Sequence, residues 1–296
     1  MTGSSGGAQG VQMRSALFLA LLCLAAPASA DALQPAPAAP APAFHPTRFT
    51  VEILGNGPDV ILIPGLTASR NVWRDTVAAL PGYRYHLVQV AGFAGAPAAG
   101  NARGEVVAPL ADELARYIAA VHLRRPIVVG HSMGGTLALM LAARHPAAVG
   151  RTMVVDMLPQ PAGLLGSSAV ELRGIADTLR DLGSTAAGRS LIDSAIRLFG
   201  NDQVENTRSD PDVVARATHE LALTDLTAEL PRIKAPLTVV YACAEPLVCP
   251  DVDRVYADAY AGDPAAHLVR IAPSGHMIMT DQPVRFRAAL AHFLAD

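Results

Sequence analysis

From Arg48 onward the apolar positions switch repeatedly between two periods. Phe49–Leu54 alternates apolar and polar residues, the two-residue period of a strand with one buried face. Val60-Ile61-Leu62-Ile63, in the segment Asp59–Ile63, is an unbroken apolar run that suits a strand covered on both faces. Asn56-Gly57 between the two predicts a hairpin turn, since both residue types accept positive φ. Asn71–Leu80 carries helical spacing, Tyr83–Val90 reads as a strand, Val106–Val121 as a helix and Pro126–Val129 as a β-branched strand. Met133–Arg144 is a helix stopped by His145-Pro146, and Thr152–Val155 is the next strand.

Alternation stops after Asp156. Residues 157–235 show helical patterns only, at Ala169–Leu182, Arg189–Phe199 and Asp212–Leu223. The rhythm resumes with the strand Leu237–Tyr241, a helix near Asp251–Tyr260, the strand His267–Ile271 and a closing helix Val284–Leu294. Strands alternating with helices imply an α/β protein with a mostly parallel sheet and helices on both faces. The helical stretch predicts a cap, 157–235, over the sheet's carboxyl edge, where such sheets bind ligands. The core is then 47–156 together with 236–296. Residues 31–46, rich in Ala and Pro and without any amphipathic period, read as a linker.

The first 30 residues follow a different pattern. Arg14 precedes the apolar run Ala16–Ala26, and Ala28-Ser29-Ala30 forms an A-x-A cleavage site. That order is a secretory signal, and the run falls short of the roughly 20 apolar residues a membrane span needs. Met13 offers a second possible start. An exported chain is expected in the periplasm or the medium. After cleavage Cys243 and Cys249 remain, and an oxidising compartment makes them a disulfide candidate. The segment offers no His at ligand spacing, so a metal site is not expected there.

Composition narrows the partners. Of 296 residues 51% are apolar and 17% charged, enough to bury one core with an insertion. The net charge of −3, the lack of a Lys/Arg run and only 5% aromatics argue against a nucleic-acid groove. A small or uncharged ligand is expected, and an apolar cap favours one with a greasy acyl or alcohol part. Oligomeric state is not legible.

The chemistry is concentrated in Gly130-His131-Ser132-Met133-Gly134-Gly135. Here G-x-S-x-G stands between a buried strand and a helix, the context in which the motif makes a strained turn that lifts a serine Oγ clear of the backbone. Ser132 is the candidate nucleophile. The following helix aims its N-terminus at the site, so the Met133 N–H is a candidate oxyanion donor. A serine needs a base, and among nine histidines His276 alone sits in a loop between the last strand and the last helix.

With these residues the chain resembles the α/β-hydrolase family, particularly its capped esterase, lactonase and peroxidase-like branch. Besides the elbow, the resemblance rests on Ile63-Pro64-Gly65-Leu66, the Trp73 helix, Gly92-Phe93, Ala142-Ala143-Arg144-His145-Pro146 and Pro273-Ser274-Gly275-His276. It implies the α/β-hydrolase fold, a mostly parallel, doubly wound sheet with a helical cap inserted after the sixth strand. It implies Leu66 N–H as the second oxyanion donor, although Pro64 stands where the family usually shows His. It implies chemistry without metal or organic cofactor.

The acid is less settled. Glu245 falls where the family usually shows Asp after the strand Leu237–Tyr241, and a Cys243–Cys249 bridge could hold a loop shifted to fit the longer side chain. Asp156, directly after Thr152–Val155, is the competitor, because some capped hydrolases place the acid there; Asp251 is a third candidate. Gln89 and Ala91 replace the family's usual Asp and Arg, which weakens transfer of substrate class. The leading expectation is hydrolysis of a carboxylic ester or lactone through an acyl-enzyme on Ser132. Amidase or aminopeptidase action, carbon–carbon bond hydrolysis and perhydrolysis use the same triad. A non-catalytic ligand-binding homologue is the reading from another class.

Overall fold

In the computed structural model of the chain, residues 44–162 and 208–295 are described. Their strands are β1 (Phe49–Leu54), β2 (Asp59–Ile63), β3 (Arg84–Val90), β4 (Ile127–His131), β5 (Arg151–Val155), β6 (Leu237–Ala242) and β7 (His267–Ile271). They form one sheet in the order β1-β3-β2-β4-β5-β6-β7, with β1 antiparallel to β3 and every other pair parallel.

The hairpin expected at Asn56-Gly57 does not form: β1 pairs with β3, not with β2. The burial pattern gives the reason. Val60–Ile63 is fully buried and takes the interior of the sheet, whereas β1 is half-solvated and suits an edge. The connection instead crosses the start of β3, where a Cβ at Gly57 would lie 2.1 Å from the Gly82 carbonyl oxygen.

Helices cover both faces, as the doubly wound arrangement requires. On one face α2 (Val107–Ala120) and α3 (Met133–Arg144) pack on Ile61, Ile63, Val128 and Val154. Residues Met133 to Ala143 of α3 are all buried, so this helix runs through the core and shows no exposed stripe. On the other face Trp73, ahead of α1 (Arg74–Ala79), meets Phe286 of the last helix, their rings 6.2 Å apart.

Among the described residues five strands, not the six expected, precede the stretch between Val155 and Leu237. The Asn56-Gly57 connection leads straight into the interior strand β2, and no further edge strand precedes β1 among the described residues. Ala169–Leu182 and Arg189–Phe199 lie outside the described residues. Met157 and Leu158 pack into the sheet's own core.

The helix α4 (Pro211–Leu223) confirms the third helical pattern of that stretch, extended by one residue through the Asp210 N-cap and Pro211. It is seated on the loops that leave the carboxyl ends of β2 and β3. Glu220 accepts from the Val106 and Val107 N–H groups at 2.6 and 2.7 Å, capping α2. Ser209 Oγ accepts from Ala94 N–H at 3.0 Å and donates to the Thr67 carbonyl at 3.2 Å.

Candidate active site

Four non-glycine residues at the exits of consecutive strands have left-handed φ: Thr67 after β2, Ala94 after β3, Ser132 after β4 and Asp156 after β5. Such backbone costs about 1–3 kcal/mol per residue and persists only where the surroundings enforce it. At Ser132 (φ 54°, ψ −123°) the enforcement is visible. Its N–H donates to the Val155 carbonyl at 2.9 Å, and the chain then turns directly into α3. A Cβ at Gly130 would stand 1.9 Å from the Gly134 oxygen, and one at Gly134 2.3 Å from the Ile63 oxygen. Both glycines are therefore required for the helix start to close over the end of β2.

That closure brings the Pro64–Leu66 loop against the elbow: a Cβ at Gly65 would lie 3.0 Å from Ser132 Cβ. Met133 is buried at the first position of α3 and Leu66 is half-buried on the facing loop. No carbonyl among the described residues takes either N–H. Both N–H groups therefore stay as the candidate oxyanion donors.

His276 lies on the loop after β7, ahead of the short helix α6 (Ile278–Asp281) and the closing helix α7 (Pro283–Ala295). Its Nδ1 is 2.7 Å from Asp156 Oδ2. The other carboxylate oxygen, Oδ1, accepts from Ala242 N–H at 2.8 Å and from the Tyr256 hydroxyl at 3.0 Å. Burial alone would raise the Asp156 pKa. The His276 contact and the two donors outweigh it and hold the carboxyl below its ordinary value. No group among the described residues takes His276 Nε2, and the side chain is 45% exposed.

His131 supports this loop from the strand side. It is buried, its Nε2 donates to the His276 carbonyl at 2.9 Å, and the two rings lie 4.7 Å apart. Burial, then the nearby His276 charge, push its pKa down to about 3, so the ring is neutral and acts as a strut.

A serine on a strained turn, an imidazole and a carboxylate held below its ordinary pKa thus stand beyond the ends of β4, β7 and β5, the last two 2.7 Å apart. The model of the alpha/beta hydrolase family matches residues 60–289. The chain belongs to that family. A pimeloyl-[acyl-carrier protein] methyl ester esterase from Aeromonas hydrophila is 28% identical over 262 residues, 83% of this chain and 98% of that protein. Among solved structures, the enol-lactonase from Burkholderia xenovorans LB400 superposes with a TM-score of 0.67 at 20% identity, covering 84% of this chain and 97% of that one. A thermophilic esterase from Thermogutta terrifontis gives 0.65 at 21% identity, covering 83% and 93%.

In this alpha/beta hydrolase the His276 partner is Asp156, which corrects the expectation placed on Glu245. Glu245 is exposed in the turn beyond Cys243, and its main-chain carbonyl accepts from Val248 N–H at 3.1 Å, while its carboxylate does not meet His276. The end of β6 contributes an N–H, from Ala242, to a carboxylate that arrives from β5 instead. Asp251 pairs with Arg254 on the exposed side of α5 (Cys249–Ala259).

Cys243 and Cys249 have Sγ atoms 2.06 Å apart and Cα atoms 5.6 Å apart. They frame the Glu245 turn without bringing its carboxylate to the histidine. Cys243 instead touches the His276 loop through its backbone: its N–H donates to Ile271 and its carbonyl accepts from Ser274. Tyr256 and Ala242 lie in no motif that marks them as partners of the acid. Their only sequence signal is that Asp156 must be buried at the end of an all-apolar strand and so needs donors from somewhere. Among the described residues no three His, Cys, Asp or Glu side chains converge as a metal site, and no helix is long and apolar enough to cross a membrane.

Proposed function

We propose that this alpha/beta hydrolase is an exported serine hydrolase that cleaves a carboxylic ester or lactone through an acyl-enzyme on Ser132. The observation that carries the reading is the Asp156–His276 contact of 2.7 Å beside the elbow. His276 Nε2 takes the proton of Ser132 Oγ as the oxygen attacks the carbonyl carbon, and Asp156 stabilises the imidazolium that results. The Leu66 and Met133 N–H groups receive the oxyanion. His276 returns the proton to the leaving alkoxide. It then deprotonates the water that attacks the acyl-enzyme, and the proton it holds goes back to Ser132 as the acid departs.

An ester or lactone is favoured over other acyl substrates by two likenesses: a methyl ester esterase in sequence and an enol-lactonase in fold. Export rests on the signal-like pattern of residues 14–30, and the cysteine pair fits an oxidising compartment.

A fluorophosphonate probe tests the core of the reading. The wild-type chain is expected to take one label, on Ser132, and to hydrolyse p-nitrophenyl esters; Ser132→Ala should do neither. A folded wild-type chain that takes no label would sink it. Cell fractionation with N-terminal sequencing checks export, the expected mature chain beginning at Asp31.

A further inference from the structure

We propose that Tyr256 is a positioning residue for this reaction, its hydroxyl fixing the Asp156 carboxylate so that one oxygen faces His276. The inference rests on the reading of Ser132, His276 and Asp156 as the reacting set. A carboxylate has two equivalent oxygens and turns easily about its terminal torsion. At Asp156 the symmetry is broken: Ala242 N–H and the Tyr256 hydroxyl both bind Oδ1, which leaves Oδ2 for His276.

Tyr256 reaches the site from α5 and is almost wholly buried. Its ring lies against Tyr241 of β6, centroids 4.2 Å apart and planes 18° from parallel, and runs nearly parallel to Tyr260 at 6.5 Å. Tyr241 in turn donates to Asp253 of the same helix at 2.8 Å, which locks α5 to β6. The Tyr260 hydroxyl donates to the Met157 carbonyl at 2.7 Å. The row of rings therefore grips two successive residues, Asp156 and Met157, where the backbone leaves β5 with left-handed φ.

Burial and the Asp156 charge raise the Tyr256 hydroxyl far above the ordinary tyrosine range, so it remains a donor across the working pH range. The ionisable groups that act on Asp156 are His276 from the β7 loop, His131 from β4, Tyr256 from α5 and Tyr260 just beyond its end. Of these only Tyr256 and His276 touch its carboxylate. Neither Tyr256 nor Ala242 N–H meets the substrate carbonyl in this scheme; they act through Asp156.

The test is Tyr256→Phe in the full chain, assayed unlabelled on a p-nitrophenyl ester, with separate aliquots of both proteins treated with the fluorophosphonate to count competent active sites. Loss of one donor to a charged group predicts a fall in kcat of about 10-fold with KM within about twofold. It also predicts that the acidic limb of kcat/KM moves up by about half a pH unit, because the less satisfied carboxylate holds the imidazolium more tightly. A role in packing alone would lower thermal stability and leave the limb in place. Wild-type kcat with an unmoved limb, in a variant whose separate aliquot takes the label, overturns the proposal, while a wild-type chain whose aliquot takes no label overturns the reading beneath it. Should the variant not fold, 3-fluorotyrosine at position 256 keeps the ring and strengthens the donor. The limb must then move down, and an unmoved limb again overturns the proposal.

Discussion

Two histidine–carboxylate pairs are built into this sheet, one near each edge, and they differ in what they leave open. Toward the amino edge His86 is buried, with Nε2 3.0 Å from Asp59 and Nδ1 2.7 Å from the Tyr117 hydroxyl. Asp59 is also bound by the Arg84 guanidinium. At the carboxyl edge His276 binds Asp156 through one nitrogen only and exposes nearly half its side chain. Both pairs place an imidazole at hydrogen-bond distance from a carboxylate. The first is closed, each ring nitrogen and the carboxylate spent on neighbours. The second keeps one nitrogen available to a substrate, and its acid among the described residues is bound by neutral donors and His276 but by no guanidinium or ammonium group. A general base needs that unspent nitrogen, so openness separates the two pairs more sharply than distance does.

The widest separation should come from removing the charge at each acid. Asp156→Asn is expected to lower kcat by about 10³- to 10⁴-fold while the fold survives, because an amide presents the wrong donor pattern to His276. Glu245→Gln should stay within about twofold of wild type, since that carboxylate is exposed and away from the imidazole. Steady-state rates on a p-nitrophenyl ester decide it. A large loss at Glu245 with normal turnover at Asp156 would reverse the assignment of the acid.

At the closed pair the same kind of change should cost stability instead. Asp59→Ala strands the His86 ring and frees Arg84, and we expect a loss of about 2–3 kcal/mol in urea unfolding. The rate per folded molecule should be unchanged within about twofold. A selective loss of turnover without loss of stability would mean that the amino-edge pair is coupled to the site.

The contrast also explains what could be read from the chain. Strand and helix identities followed from the period of apolar residues, and Ser132 and His276 from their local setting: Met133–Arg144 and His267–Ile271 fall at the residues expected. Pairing did not follow. The choice of β3 over β2 as partner for β1 depends on which strand is buried on both faces, and a turn signal such as Asn56-Gly57 carries no information on that competition. The choice of acid turns on a related competition. Glu245 and Asp156 both follow a strand, and only the register of β5 on β6, which pairs Val155 with Val240 and lets Asp156 reach the Ala242 N–H, decides which carboxylate meets the histidine. His86 illustrates the limit from the other side: mid-strand and flanked by apolar residues, it showed no constellation, because its partners lie 27 and 31 residues away in sequence.

The smallest effect expected is on the pH dependence of stability, and it too separates the pairs. Burial lowers the His86 pKa below its ordinary 6.5 even though Asp59 opposes the shift. The folded chain thus holds this ring neutral. Its contribution is complete above about pH 6.5 and is lost as the pH falls toward the folded value, since protonation favours the unfolded chain. His131, pushed down to about 3, acts in the same direction, whereas Glu220, raised by burial, acts in the opposite one. Both are shared by wild type and His86→Leu, so the difference between the two isolates the closed pair. Between pH 6.5 and 5 the wild-type stability should fall more steeply, by at most about 1.4 kcal/mol per pH unit, the value of one proton. Urea midpoints in parallel series measure it. Equal slopes would mean that His86 is protonated in the fold at these pH values, and the amino-edge pair would then be an ion pair rather than a closed neutral contact.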